Sequence, residues 1–346
     1  MVYIHGRFMF ETVNSSLRNE CIFLNDSASW YGYGYGKEYF WISGVLLVIF
    51  GTIGLLGNIL TMAVLCRPKM RKTVFYNLLL ALACFDTLFI LSYGISIAHL
   101  SFACPPRRLV HGLFYPVREL CLVGSIYMTV AVSMERYLGI CHPHLQFSRG
   151  ALLFILPVVL ISLVFNFPKF FETNFYGQGP YLLTESKYFI KTFNYGSGYG
   201  LWASVIVKTL IPLLSLLFLN ISIFATVKGT THPQRTQARR ETNTTTILFC
   251  VVLIFLLAHV PRVAHKFLFF LEFEKKASWY WVTPVYRLSL IINSSVNFVI
   301  YAMVGRNFRS EFLQLFQCQK IPPVKTNKIV IGTELPLKQL QQSKEG

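Results

Sequence analysis

Seven long apolar runs dominate the chain, and short polar connections separate them. A helix needs roughly 20 mostly apolar residues to cross about 30 Å of hydrocarbon. Because a membrane span must satisfy its backbone hydrogen bonds within the segment, each run predicts a helix. The pattern predicts an all-α membrane protein, a seven-transmembrane helix bundle. The runs are Trp41–Cys66, Val74–Phe102, Val110–Ile140, Gly150–Phe170, Leu201–Val227, Thr242–Phe270 and Trp281–Val304.

Lysine and arginine are unevenly distributed over the segments between the runs. Short loops rich in these residues stay on the cytosolic side of a membrane. The N-terminal segment instead balances its cations with acids, and it carries glycosylation sequons at Asn14 and Asn25. We therefore expect a multi-pass protein of the plasma membrane with an extracellular N-terminus and a cytoplasmic C-terminus. The cytosolic cations are Arg67, Lys69, Arg71, Lys72, Lys228, Arg235, Arg239, Arg240, Arg306, Arg309, Lys320, Lys325 and Lys328.

The amino-acid composition excludes several classes of function for this chain. Charged residues make up 14% of the chain, whereas a soluble domain usually has about 25%. The net charge of +17 would suit a nucleic-acid partner if the cations lay on a soluble surface, but they fall mostly between the apolar runs. No spacing suggests a nucleophile–base pair, a phosphate loop or a metal hydrolase. We expect no nucleic-acid partner, no catalytic site and no enzyme activity.

Polar residues inside the runs carry the most specific signal, because they are costly in a membrane. They form a series of motifs, one or more on most runs, and a further motif follows the seventh run. The motifs are Gly57-Asn58, Leu82-Ala-Cys-Phe-Asp86, Glu135-Arg136-Tyr137, Cys141-His142-Pro143, Pro212, Pro261, Asn293-Ser294-Ser295-Val296-Asn297-Phe298-Val299-Ile300-Tyr301 and Asn307-Phe308-Arg309.

Together these motifs resemble the rhodopsin-like G-protein-coupled receptors, over roughly Trp41 to Phe316. The resemblance implies an extracellular segment at 1–40, the bundle at 41–304, a short amphipathic eighth helix at 305–318 and a cytoplasmic tail at 319–346. It also implies a heterotrimeric G protein as the cytosolic partner.

A narrower resemblance points to invertebrate FMRFamide-type neuropeptide receptors. It rests on Ser125-Ile-Tyr-Met-Thr129 before Met134-Glu-Arg-Tyr137, on Phe165-Asn-Phe-Pro168, on Ile211-Pro212 with Asn220, and on the stretch from Ile292 to Tyr301. This similarity indicates common ancestry more strongly than it indicates a shared ligand.

Asp86 is a lone carboxylate in the middle of the second run. Ser125, Asn293, Ser294 and Asn297 match the family positions that surround it, and oxygen-rich shells suit hard cations. The resemblance implies an allosteric Na⁺ that stabilises the inactive state. The alternative is a protonated aspartate in a hydrogen-bond network without an ion. No other cofactor is expected.

Arg136 is the signalling residue that the resemblance implies. It is expected to pair with Glu135 at rest, with Glu241 at the start of the sixth helix as a second partner. Release of the Glu241 pair would let the sixth helix move and expose Arg136 to the G protein. Tyr137 completes the motif. The residues that match further activation positions of the family are Asn297, Tyr301, Ile126, Pro212 and Phe255.

The predicted outer third of the bundle is unusually cationic. One hypothesis is that these cations bind an acidic ligand group through arginine forks. The rival is that Glu119 receives the arginine of an RF-amide peptide while the cations pair with loop acids such as Glu172 and Glu272. Lys266 is expected to extend toward the lipid headgroups. The candidate ligand-binding residues are Arg118, Glu119, Lys208, His259, Arg262, His265 and Arg287.

The chain departs from the family pattern at several positions. His111 stands where the third helix usually carries a disulfide cysteine, and 171–200 contains no cysteine. Cys21 and Cys104 are a candidate extracellular disulfide, and Cys318 is a candidate palmitoylation site. His259 replaces a tryptophan and Phe298 replaces a proline, which puts the details of activation in question.

The sequence therefore predicts a G-protein-coupled receptor whose extracellular ligand is an FMRFamide-like neuropeptide. The alternative within the class is an orphan or chemosensory receptor for a small anionic ligand. A transporter or channel is the alternative from another class, but repeated halves and paired broken helices, which mark transporters, are not evident.

Overall fold

The computed structural model describes residues 40–101, 107–142, 150–170, 173–174, 184–185, 202–229, 235–270 and 279–316. Side chains are described in somewhat narrower ranges within these segments. Eight long helices occur among them, and we label them in chain order. They are α1 (Leu47–Leu65), α2 (Val74–Ser101), α3 (Arg107–Cys141), α4 (Leu152–Asn166), α5 (Ile211–Gly229), α6 (Arg235–Phe270), α7 (Trp279–Val304) and α8 (Arg306–Phe316).

Short irregular turns extend several of these helices. Phe40–Leu46 and Ile206–Leu210 are π-helical and lead into α1 and α5, and a 3₁₀ turn, Phe167–Phe170, follows α4. A helical turn at Pro68–Arg71 joins α1 to α2. Between α4 and α5, β1 (Thr173–Asn174) pairs antiparallel with β2 (Thr184–Glu185), with Thr173 opposite Glu185.

Seven helical stretches of the described chain are long and apolar enough to cross a membrane. Large apolar side chains cover their outer faces; Leu160, Ile221 and Leu257 are each at least 60% exposed. A helix whose apolar residues point outward as well as inward suits lipid rather than water. This arrangement confirms the predicted seven-helix bundle. The sixth helix begins at Arg235 instead of Thr242, because a helix continues past the apolar stretch that hydropathy detects.

Glycines bring neighbouring helices close together. A Cβ added at Gly54 would overlap Ser295 of α7, and one added at Gly57 would lie 3.0 Å from Phe298. A Cβ at Gly124 of α3 would overlap the Phe85 ring of α2. Small residues allow this close approach in membranes, where van der Waals packing drives helix association. The contacts fix how α1, α2, α3 and α7 are rotated against one another.

The interior has two apolar clusters, one toward each end of the bundle. One contains Phe89, Ile126, Phe255 and Leu290, and it lies beneath the cavity described below. The other contains Leu78, Met128, Tyr301 and Phe308, and it lies near α8. We call the two ends the cavity end and the α8 end.

The amphipathic helix α8 packs across the α8 end of the bundle. Its Phe308 and Phe312 rings contact Phe298, at centroid distances of 6.1 and 5.5 Å. Glu311 of α8 forms ion pairs with two cations of the connection between α1 and α2. Its carboxylate lies 3.2 Å from Arg67 Nη1 and 3.3 Å from Lys69 Nζ. Aromatic packing and these ion pairs thus hold α8 against the bundle.

Candidate ligand cavity and signalling residues

A cavity of about 350 Å³ opens between α2, α3, α4, α6, α7 and the helical segment that leads into α5, at one end of the bundle. Such a volume lies within the usual range of about 300–1,000 Å³ for ligand sites. Its walls are mostly cationic and aromatic. The lining residues are Tyr93, Ser96, Tyr115, Arg118, Glu119, Leu122, Phe165, Lys169, Ser204, Lys208, Arg262, His265, Lys266, Tyr286, Arg287 and Leu290.

Glu119 and Lys208 form an ion pair in the wall of this cavity. Lys208 Nζ lies 2.5 Å from Glu119 Oε2, and the lysine side chain is only 2% exposed. Lys208 belongs to the π-helical turn before α5, where the Ile211 backbone N–H donates to the Ile206 carbonyl. A π turn inserts one residue and changes the direction of the side chains around it. The pair links α3 to α5, and it commits the carboxylate of Glu119 to a cation.

A second contact holds the same turn against α3. The hydroxyl of Tyr127 donates a hydrogen bond of 2.9 Å to the carbonyl of Val207, next to Lys208. Because Tyr127 and Glu119 both lie on α3, two polar contacts fix the position of the π turn.

Arg118 lies between two tyrosine rings. Its guanidinium carbon is 5.1 Å from the centroid of Tyr93 and 5.0 Å from that of Tyr115. Lys169, buried after α4, approaches the same Tyr115 ring and donates to its hydroxyl at 3.2 Å. Cation–π contacts of this kind stabilise positive charge without neutralising it. The wall therefore keeps its cationic character.

Arg262 and the histidines of α6 occupy different depths. Arg262 is 6% exposed and lines the cavity. His265 also lines it and contacts Thr283 Oγ1 through Nε2 at 3.2 Å. His259 does not line it: the ring stacks on Phe255 at 4.0 Å, and Nδ1–H donates to the Phe255 carbonyl at 2.9 Å. The predicted ligand residue His259 thus lies below the cavity, in the apolar cluster.

The other predicted ligand residues come together as cavity lining: Arg118, Glu119, Lys208, Arg262, His265 and Arg287. The expectation that Lys266 extends to the headgroups is wrong, because Lys266 is half-buried and lines the cavity. Sequence reasoning did not single out Lys169 and the tyrosines. A lysine directly after Pro168, at the end of an apolar run, was the available signal for Lys169. Tyr93, Tyr115 and Tyr286 carried no signal beyond their aromatic character.

Asp86 lies deeper, in a closed polar layer. Its side chain is fully buried; Oδ1 accepts from Ser125 Oγ at 2.6 Å, and Oδ2 accepts from Asn297 Nδ2 at 2.8 Å. Ser294 also faces the carboxylate. Asn293 is only half-buried and is not among the groups that contact Asp86. The partners of Asp86 are neutral oxygen and nitrogen groups, a shell into which a hard cation such as Na⁺ would fit.

Arg136 contacts both an acid of its own helix and an aromatic ring of α2 near the end of α3. Its Nε lies 3.1 Å from Glu135 Oε2, and its guanidinium carbon lies 3.7 Å from the centroid of Phe75 on α2. Phe75 was not predicted to take part. The adjacent Tyr137 hydroxyl contacts His142 Nε2 at 2.9 Å. Glu241 lies on α6, but its side chain is outside the described residues, so its proposed pairing with Arg136 stays a prediction.

The remaining activation residues are buried in the bundle. Ile126 and Phe255 belong to one apolar cluster, and Pro212 is buried on α5. Asn297 binds Asp86, and Tyr301 is 2% exposed in the cluster near α8.

Several predictions fall outside the described residues: glycosylation at Asn14 and Asn25, the Cys21–Cys104 disulfide, palmitoylation of Cys318, and the loop acids Glu172 and Glu272.

Comparison with known proteins settles the family. The model of the seven-transmembrane receptor (rhodopsin) family matches residues 57–301, which is most of the chain. The chain belongs to this receptor family. Membership confirms the resemblance read from the motifs and identifies the chain as a multi-pass membrane receptor and not an enzyme; the alternative of a transporter or channel is wrong.

Three individual relatives of this chain are receptors that are named for their ligands. It is 32% identical to the FMRFamide receptor of Drosophila melanogaster, over 80% of this chain and 54% of the relative. It is 28% identical to the galanin receptor type 1 of Mus musculus, over 83% and 84% of the two chains. It is 29% identical to the B1 bradykinin receptor of Canis lupus familiaris, over 79% and 82%. The matched region thus spans about half the length of the Drosophila relative.

Proposed function

We propose that this receptor binds an extracellular neuropeptide, FMRFamide-like in ancestry, and couples to a heterotrimeric G protein at the plasma membrane. The observation that carries the proposal is the cavity inside a rhodopsin-family bundle, whose relatives have the names of peptide receptors. A cavity of about 350 Å³ suits a few residues of a peptide. The rest of the peptide would lie outside the bundle.

The path from ligand to G protein runs through α6 in this proposal. His265 and Arg262 line the cavity, whereas His259 lies deeper on the same helix and stacks on Phe255. Phe255 and Ile126 share an apolar cluster, so a shift of α6 must repack that contact. Packed cores switch between discrete arrangements, so a small shift at the cavity is passed on. At the α8 end, Arg136 would then be released to the G protein.

A second-messenger assay in cells that express this receptor tests the proposal. The cells are screened against FMRFamide and other amidated neuropeptides, and against small organic acids. We expect a saturable response to a peptide. If Glu119 receives the arginine of an RF-amide ligand, Glu119→Gln abolishes that response. A response to organic acids alone would replace the neuropeptide by the small anionic ligand.

Arg136→Ala tests the coupling step. Arg136 lies at the α8 end, far from the cavity, so we expect the substitution to abolish the second-messenger response while surface expression and ligand binding persist. Arg71→Ala is the matched control, because Arg71 is an exposed arginine at the same end. Unchanged signalling by the Arg136 variant would remove this residue from the mechanism.

A further inference from the structure

The cavity contains a buried cation with an unused hydrogen-bond donor. Arg262 is 6% exposed, and its Nη1 has no hydrogen-bond partner in the part of the chain that the structure describes. A buried charge is costly unless it is paired and hydrogen-bonded. The guanidinium is a rigid fork of donors that matches carboxylate, sulfate and phosphate oxygens. An acceptor from the ligand would therefore satisfy this group.

The acid nearest to Arg262 is already engaged. Glu119 is the one acid among the described residues that line the cavity, and its Oε2 is bound to Lys208 at 2.5 Å. Glu119 and Arg262 attract each other, but the lysine takes the direct contact. The pair neutralises itself, so the charge of Arg262 remains largely uncompensated.

Arg118 of α3 adds a second cationic donor to the cavity lining. Its guanidinium carbon lies 5.1 and 5.0 Å from the centroids of Tyr93 and Tyr115, and the residue lines the cavity, where an acceptor on the ligand would meet its N–H groups. Because α3 carries Arg118 and α6 carries Arg262, an anion bound by both would connect the two helices whose separation changes in the proposed activation.

We propose that the ligand of this cavity carries an acidic group, a carboxylate, sulfate or phosphate, and that Arg262 is its principal anchor with Arg118 as the second donor. The inference rests on the proposed function, because it takes the cavity to be the ligand site. It adds the ligand chemistry: the group in contact with Arg262 is anionic. A peptide whose only charge is an arginine would place a like charge beside Arg262 and Lys208.

Thermal unfolding of the purified receptor tests the anion site without a known ligand. The probes are sodium sulfate and sodium glutarate, compared with sodium chloride at equal ionic strength. Anions that bind the folded state raise Tm with a saturable concentration dependence. We expect this rise in the wild type, its loss in Arg262→Gln, and its retention in Arg306→Gln, an exposed arginine at the α8 end.

Arg262→Lys separates charge from fork geometry. It keeps the cation but offers a single ammonium group, so we expect a rise in Tm with an apparent anion affinity weakened by about tenfold. This variant also keeps the test decisive if Arg262→Gln does not fold. The proposal is overturned if neither anion stabilises the wild type beyond chloride, or if the Arg262 variants respond as the wild type does.

A peptide assay shows whether the acidic group belongs to a peptide ligand. It also separates a failure of the anion site from a failure of the proposed peptide function. Each active peptide is made with its acid intact and with that acid replaced by the neutral amide. We expect the neutral form to lose about 10- to 100-fold in potency on the wild type and to lose little on Arg262→Gln. If peptides that lack an acidic group activate the wild type and the Arg262→Gln variant equally, the inference is overturned and the peptide function stays intact. Stabilisation by anions without a response to any peptide would overturn the peptide function and leave the anion site.

Discussion

Asp86 and Glu119 are two carboxylates in the interior of one helix bundle, the first fully and the second partly buried, and they have opposite surroundings. Asp86 is bound by the neutral groups of Ser125 and Asn297. Glu119 is bound by the ammonium group of Lys208, and further cations line the space around it. Neutral donors leave the charge of a carboxylate available to a cation, whereas a lysine already compensates it.

The difference shows what each site is able to accept. The Asp86 layer combines a carboxylate with neutral oxygen groups, which is the kind of shell that a small hard cation would complete. The described residues that line the cavity carry a surplus of positive charge, which is why we propose an anionic group in its ligand. The two sites are stacked in the same bundle, and the apolar cluster that contains Ile126 and Phe255 lies beneath the cavity.

The largest effect is expected where the Glu119–Lys208 pair is broken on one side. Glu119→Gln leaves the ammonium group of Lys208, which is only 2% exposed, among cations and without its partner, which destabilises the fold by about 3–5 kcal/mol. Thermal unfolding of the purified receptor measures it. The double variant Lys208→Met with Glu119→Gln removes both charges and should regain most of the loss. A double variant as unstable as the single one would contradict the pair as the cause.

A smaller effect is expected from filling the close contact beside the Asp86 layer. Gly124→Ala would push a methyl group into the Phe85 ring, and overpacking of this kind costs about 1–3 kcal/mol. Gly94→Ala is the matched control, because Gly94 lies on α2 with nothing within 4 Å of an added Cβ. It should stabilise the helix by about 0.5–1 kcal/mol. Equal melting temperatures for the two variants would show that α2 and α3 are not closely packed there.

The smallest effect is expected from sodium. If Na⁺ binds beside Asp86, replacing choline chloride by sodium chloride at constant ionic strength should stabilise the ligand-free receptor by about 1 kcal/mol, a Tm shift of about 2–4 °C. Asp86→Asn should remove the shift, and Glu311→Gln, a buried acid at the α8 end, should retain it. A sodium effect that persists in Asp86→Asn would place the ion elsewhere.

Much of the fold was predictable because hydrophobic length and motif residues are local properties. The seven runs gave the seven helices, and the Glu135-Arg-Tyr and Asn297-Phe-Val-Ile-Tyr motifs indicated the family before any contact was known. Most of the predicted ligand residues also meet at one cavity. The depth of His259 was not predictable in the same way. Arg262 and His259 lie three residues apart on the same face of α6, so the height of the helix in the bundle decides which one reaches the cavity.

The sequence by itself determined the helices, the family and the unusual richness in buried cations. Only the tertiary structure decided which charge meets which: Lys208 reaches Glu119 across 89 positions of the chain, Arg136 lies on Phe75, and Arg118 lies between two tyrosines. The physical reason is that these contacts depend on helix rotation and height. Gly54, Gly124 and the π turn at Ile206–Leu210 set rotation and height through packing between helices, which no local pattern records.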